Sequence, residues 1–209
     1  MSKSFSWFTK ITGFIPQAIY LRRKTLYVNK EAQGRKIKEP AIIISNHTNL
    51  MDFAVYMFTF PNATICPLVA EITYDKNKVM KFLMKHWGAV RVDRDSYDFS
   101  FMSDLIEKLD NNNSIIIFPE GRIPQDGEGL LPFKPSFVYV AKEANVPIIP
   151  TYTTGKYGSG KTKVVIGEKI YVNDLYDPTL SQKENINKIC LYFENYVRRL
   201  GEIANEENK

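Results

Sequence analysis

The chain has 209 residues, 44% of them hydrophobic and 24% charged, which is enough for one sizeable core, and no break in composition asks for a second domain. No run of about 18 uncharged apolar residues occurs and no small-residue cleavage site follows the start, so neither a spanning helix nor a secretory leader is expected and the chain is expected to stay in the cytoplasm. The net charge of +5 is unevenly placed: residues 1–40 hold nine Lys or Arg against two Glu, seven net positive charges, which leaves the remainder two net negative.

Taken in chain order, Phe5 to Tyr27 ("FSWFTKITGFIPQAIYLRRKTLY") mixes Phe, Trp, Ile and Tyr with basic residues, and Pro16 is expected to kink any helix running through it. Residues 1–38 therefore read as a basic amphipathic segment anchored on a membrane surface with anionic lipid, the alternative being a helix packed on the domain. Nucleic acid fits less well, because a phosphate backbone wants a basic face on the folded body, and here the body is slightly acidic. Over residues 39–205 apolar runs alternate with amphipathic ones. Strands are expected at 41–45, 64–69, 89–92, 114–118, 147–152, 162–166 and 169–172, and helices at 49–60, 77–86, 97–110, 136–144 and 182–203, the last opened by the capping box Ser181-x-x-Glu184. This alternation predicts a single α/β domain, a largely parallel sheet flanked by helices, preceded by the N-terminal amphipathic helical segment.

Within that frame, "AIIISNHTNLMDF" (Ala41 to Phe53) is a buried strand that stops at Ser45-Asn46 and is followed by one of only two histidines and an aspartate five positions later. On a continuous helix His47 and Asp52 point about 140° apart and do not meet. With His47 in a strand-to-helix turn, Asn49 as the helix cap and Asp52 in the first turn, the carboxylate reaches back to the imidazole at the carboxyl end of a strand, a general base suited to a hydroxyl. The same residues also make a plain helix start, with Asp52 satisfying backbone donors. His47, Asp52 and His86 lack the paired spacing of a metal site, and no cofactor is implied. Cys66 and Cys190 fit reduced, buried thiols.

Three more stretches place chemistry just past a strand end: "GAVRVDR" (Gly88 to Arg94), "IIIFPEGRI" (Ile115 to Ile123) and "VPIIPTY" (Val146 to Tyr152). With "NHTNLMD" they resemble, in order and spacing, the four blocks of the glycerolipid acyltransferase family, which includes bacterial 1-acylglycerol-3-phosphate acyltransferases. The resemblance implies a glycerol-3-phosphate acyltransferase-like fold. It also implies transfer of a fatty acyl group from acyl-CoA or an acyl carrier protein thioester to the free hydroxyl of a lysophospholipid, 1-acylglycerol-3-phosphate being the leading acceptor and phosphatidic acid the product, and the expected place is the cytoplasmic face of the membrane. In that scheme His47 is the general base and Asp52 its orienting carboxylate. Arg94 meets the acceptor phosphate, Glu120 and Gly121 meet its glycerol, and Pro150 ends a strand beside the pocket. Arg122 is also expected to bind the acceptor, although many members read Phe-Pro-Glu-Gly-Thr-Arg where this chain reads Phe-Pro-Glu-Gly-Arg-Ile, so that it comes one residue early. That form also resembles acyltransferases acting on lysophosphatidylethanolamine. Lys134, in "LPFKPSF", is either a further anion contact or a solvated lysine. A lipid-binding protein without activity is the rival from another class. An esterase finds no support, since no Gly-x-Ser-x-Gly elbow occurs.

Overall fold

In a computed structural model, which describes residues 3–93, 100–155, 157–158 and 162–206, seven strands form one sheet in the order β1-β7-β6-β2-β5-β3-β4. The strands are β1 (Lys24–Tyr27), β2 (Ile42–Ile44), β3 (Ile65–Ala70), β4 (Val90–Val92), β5 (Ser114–Ile117), β6 (Ile148–Thr153) and β7 (Lys163–Ile166). Every neighbouring pair is parallel except β6 and β7. The helices are α1 (Lys3–Leu21), α2 (Asp52–Thr59), α3 (Glu71–Tyr74), α4 (Lys78–His86), α5 (Ser100–Asp110), α6 (Ser136–Glu143) and α7 (Gln182–Glu206).

Both faces of the central strands are covered, which is why they read as unbroken apolar runs. Ile42 and Ile44 of β2 point to one side with Ile115, Ile117 and Ile148, against Leu105 of α5, Phe137 of α6 and Phe193 of α7. Ile43 points to the other with Ile116 and Ile149, against Val55, Tyr56 and Phe60. The period of two thus divides one sheet between two cores. Because β2, β3, β5 and β6 run the same way, their carboxyl ends lie along a common edge, where open α/β sheets bind ligands. The capping box forms as expected, with Ser181 N donating to Glu184 Oε2 at 2.9 Å and Glu184 N to Ser181 Oγ at 3.3 Å. Cys66 and Cys190 are buried free thiols.

Some elements differ from expectation. Residues 169–172 make only a bridge, Ile170 to Ile148, before a 3-10 turn at Val172–Leu175. α2 begins at Asp52, not at 49. α1 runs through Pro16 as one helix of 19 residues. β1 lies inside the stretch expected to be wholly anchor, yet pairs in parallel with β7.

Several of the N-terminal cations hold the end of α2. Lys10 Nζ donates to the carbonyls of Pro61 (2.9 Å) and Ala63 (2.5 Å), and burial pulls its pKa down to about 8. Arg23 and Arg35 both donate to Phe58 O, at 2.6 and 2.9 Å, and Arg35 Nε donates to Thr59 O at 2.9 Å. Carbonyls at a helix C-terminus lack intrahelical donors and carry partial negative charge, so the two arginines meet Phe58 and Thr59 favourably, while Lys10 holds the turn just beyond the helix. The opposite face of α1 is bare: Trp7, Phe8, Ile11, Phe14, Ile15 and Ile19 are each 60–69% exposed. No described helix is long and apolar enough to cross a membrane.

Arg23→Ala is expected to lower unfolding free energy by about 1–3 kcal/mol, the range for losing a charge-assisted hydrogen bond. Denaturant titration measures it, and an unchanged midpoint would mean that Arg35 alone suffices at Phe58.

Candidate active site

The chain leaves β2 through two buried polar residues whose side chains are fully used. Ser45 Oγ pairs with the Tyr56 hydroxyl at 2.5 Å. Asn46 donates from Nδ2 to Thr153 O (2.9 Å) and accepts at Oδ1 from Thr153 N (2.8 Å), continuing the ladder between β2 and β6 by one side-chain rung. The loop that follows is thereby rooted in the sheet before it reaches His47.

Asp52, fully buried at the first position of α2, organises this loop. Its Oδ2 accepts from His47 Nδ1 (2.8 Å), Thr48 N (2.6 Å) and Asn49 N (2.9 Å), and its Oδ1 from Thr48 Oγ1 (2.9 Å) and the Tyr157 hydroxyl. Asn49 does not cap the helix; its Oδ1 accepts from Met51 N at 2.9 Å in a turn of the loop. A carboxylate only accepts, so the proton of a neutral His47 lies on Nδ1 and Nε2 keeps its lone pair. The ring stacks on Phe118, 4.3 Å between centroids and 15° between planes.

Glu120 braces the same loop. Its Oε1 accepts from His47 N at 2.6 Å and its Oε2 from Leu131 N at 2.8 Å. Burial pushes its carboxyl up, while these two N–H donors pull the other way. Gly121, at φ +75°, leaves room for Lys134, whose Cε would lie 3.0 Å from an added Cβ. Arg122 is turned aside into a two-pronged pair with Glu128 (2.7 and 2.9 Å), which holds the Glu128 carboxyl down at about 2. Arg94 lies outside the described residues. Among the described residues no three His, Cys, Asp or Glu side chains gather as a metal site.

His47 stands between two cavities. One, of about 360 Å³, is walled by apolar side chains that include Leu68, Val92, Phe101 and Met102, with Lys134 also on its lining. The other, of about 320 Å³, is more polar and is lined by Glu120, Glu128 and Tyr152. A base with a free Nε2, at a junction of apolar and polar space, can take a proton from a hydroxyl whose remaining substituents divide between the two.

A family profile described as "Acyltransferase" matches residues 22–154. The chain belongs to the acyltransferase family. Among its relatives, a 1-acyl-sn-glycerol-3-phosphate acyltransferase from Limnanthes alba is 28% identical over 178 residues, covering 83% of this chain and 61% of that protein. One of the same description from Haemophilus influenzae is 26% identical over 182 residues, covering 83% and 74%. The chain spans between 38% and 61% of the length of the plant relatives that it matches. The fold is shared with the crystal structure of the 1-acyl-sn-glycerophosphate (LPA) acyltransferase PlsC from Thermotoga maritima, at a TM-score of 0.65 and 23% identity over 96% of this chain and 78% of that one.

Of the residues expected from sequence, the fold brings together His47, Asp52, Glu120 and Gly121, and sends Arg122 elsewhere. Three further residues complete the site: Phe118 under the imidazole, Asn46 at the loop's root and Tyr157 on Asp52. Phe118 and Asn46 stand in the quoted blocks, whereas Tyr157 follows them by several residues and carries no local signal.

Glu120→Gln places an amide –NH2 against a backbone donor and is expected to cost about 1–3 kcal/mol. Hydrogen exchange at the His47 and Leu131 amides should quicken, and unchanged protection at both would remove Glu120 from this bracing role.

Proposed function

We propose that the chain is a 1-acylglycerol-3-phosphate acyltransferase acting at a membrane surface, forming phosphatidic acid. The observation that carries this is the His47–Asp52 pair at 2.8 Å, set beside an apolar cavity of about 360 Å³ in an acyltransferase-family fold. The activity for which those relatives are named supports the choice of acceptor.

In this reading His47 Nε2 removes the proton as the acceptor hydroxyl attacks the thioester carbonyl, and Asp52 stabilises the imidazolium that forms. The tetrahedral intermediate collapses by expelling the thiolate, which takes the proton back from His47. No covalent acyl-enzyme is required. The acyl chain fits the apolar cavity, and the stacked Phe118 keeps water from one face of the imidazole. For the acceptor phosphate the cation on the cavity wall is Lys134, and Arg94 is the one that the family's second block supplies. The donor in this reading is an acyl thioester of coenzyme A or of acyl carrier protein. Because Arg122 is engaged by Glu128, a lysophospholipid with another head group, such as lysophosphatidylethanolamine, is the second reading.

The bare face of α1 supports membrane docking, on the cytoplasmic side if the donors are as proposed. Its aromatic and aliphatic side chains enter the headgroup boundary, and Phe5, whose ring meets Phe82 of α4 edge-on at 6.2 Å, carries the apolar face onto the exposed Val79 and Phe82. Exposed Arg22, Lys78 and Lys85 supply charge for anionic lipid.

His47→Ala is expected to lower turnover about 10²–10⁴-fold with the fold intact, and Asp52→Asn to be damaging through loss of tautomer control. Purified protein, offered a panel of lysophospholipids with palmitoyl-CoA and acyl carrier protein thioesters, gives the products by mass; near wild-type turnover of His47→Ala would overturn the mechanism. Replacing Trp7, Phe14 and Ile15 by Ser should weaken sedimentation with anionic liposomes while leaving turnover of short-chain soluble acceptors unchanged. Undiminished sedimentation would move the membrane contact away from α1.

A further inference from the structure

After β6 ends at Thr153, the chain folds back over the start of α2. Gly155 sits at φ +66° with its backbone against Thr48, where an added Cβ would collide with the Thr48 hydroxyl. Two residues on, the half-buried Tyr157 packs on the core that α2 shares with the sheet and gives its hydroxyl to Asp52 Oδ1. Gly158 N then donates to Tyr20 O of α1 at 3.0 Å, which ties this segment to the N-terminal helix.

The five donors on Asp52 fall into two groups. Four belong to His47, Thr48 and Asn49, within the loop that Asp52 itself organises. Among the described residues Tyr157 is the donor that arrives from elsewhere in the chain, and it meets the oxygen that does not face the imidazole. A phenol donating to one carboxylate oxygen withdraws charge from the other and fixes the plane of the group. Burial and the neighbouring carboxylate both hold the Tyr157 hydroxyl in its protonated, donating form.

We propose that Tyr157 is a positioning residue of the catalytic pair: acting through Asp52, it sets how strongly and in what orientation the carboxylate accepts from His47 Nδ1. This rests on the reading of His47 as the base. Other ionisable groups face the pair from the elements around it: Glu120 on His47 N, Lys134 and Asp93 on the apolar cavity, Tyr152 on the polar cleft, and Tyr56 bonded to Ser45. Asp126 and Glu128 also line the polar cleft, and of all these groups none is hydrogen-bonded to the Tyr157 hydroxyl.

Tyr157→Phe keeps the ring and deletes the hydroxyl, and with it the bond to Asp52 and a long 3.5 Å contact with Thr153 Oγ1. The carboxylate then holds more charge toward His47, so the low-field Nδ1–H proton resonance of His47 should move further downfield. His86, the other histidine of the chain, serves as internal reference. In kinetics, kcat should fall roughly 3–30-fold with KM for both substrates little changed, and the acidic limb of kcat/KM should move to higher pH. Thr48→Val, which removes the neighbouring donor from the same oxygen, should move the resonance the same way and covers the case in which Tyr157→Phe folds poorly. An Nδ1–H resonance and an acidic limb that both stay put in folded Tyr157→Phe overturn the proposal, even if thermal stability drops. The resonance needs no substrate, so a wild-type chain that transfers no acyl group would defeat the proposed function while leaving the coupling of Tyr157 to His47 still measured.

Discussion

A single buried carboxylate holds the candidate site together. Asp52 has no exposed surface, and a charge removed from water in that way is costly unless hydrogen bonds replace its solvation. Here the replacements are the loop itself: two backbone N–H groups, a hydroxyl, the imidazole and a phenol from a distant segment. The loop can therefore adopt this conformation only with the carboxylate at its centre, and the carboxylate can be buried only with the loop around it. The imidazole is one of five donors that satisfy the charge, so the contact that orients it also contributes to stability, while the other four hold the loop without it. Glu120 repeats the device on the other side of His47 at smaller scale, spanning from His47 N to Leu131 N.

What makes such a centre possible is the regularity beneath it. The alternation of Ile42, Ile43 and Ile44 fixes the register of β2 between two cores, since a slip by one residue would exchange the faces. With register fixed, Ser45 and Asn46 reach the same depth on every molecule, and Asn46 locks onto Thr153 of the adjoining strand. The cations of the N-terminal segment secure the far end of α2 in the same spirit, so that helix is held by its carbonyls at one end and by Asp52 at the other.

The pair of His47 and Asp52 is legible in sequence because a strand ending, a histidine and a first-turn carboxylate follow one another within a few residues, and short-range geometry leaves them one way to meet. The parallel core is legible for the same local reason. Other features depend on contacts far along the chain. Lys24–Tyr27 has four residues, no clear alternation and a helix directly before it, and only its pairing with Lys163–Ile166 makes it a strand. Arg122 carries the same charge wherever it points, and what turns it from the cavity is Glu128, in a loop without periodicity. Lys10, Arg23 and Arg35 look like cations for a lipid surface until the carbonyls beneath them are seen. Tyr157 lies in a Gly-rich turn whose composition says loop and nothing about the carboxylate that it meets.

The placement of β1 also orders events in time. It is the earliest strand described in the chain, and its partner β7 is the latest, so the sheet is complete on that edge only after every other described strand has been synthesised. Contacts so remote in sequence are slow to form, because the intervening loop entropy must be overcome first. Throughout that interval α1 is already made and its apolar face is uncovered. A nascent chain in this state presents an apolar helix ahead of an unfinished body, the kind of uncovered surface through which incomplete chains associate with one another.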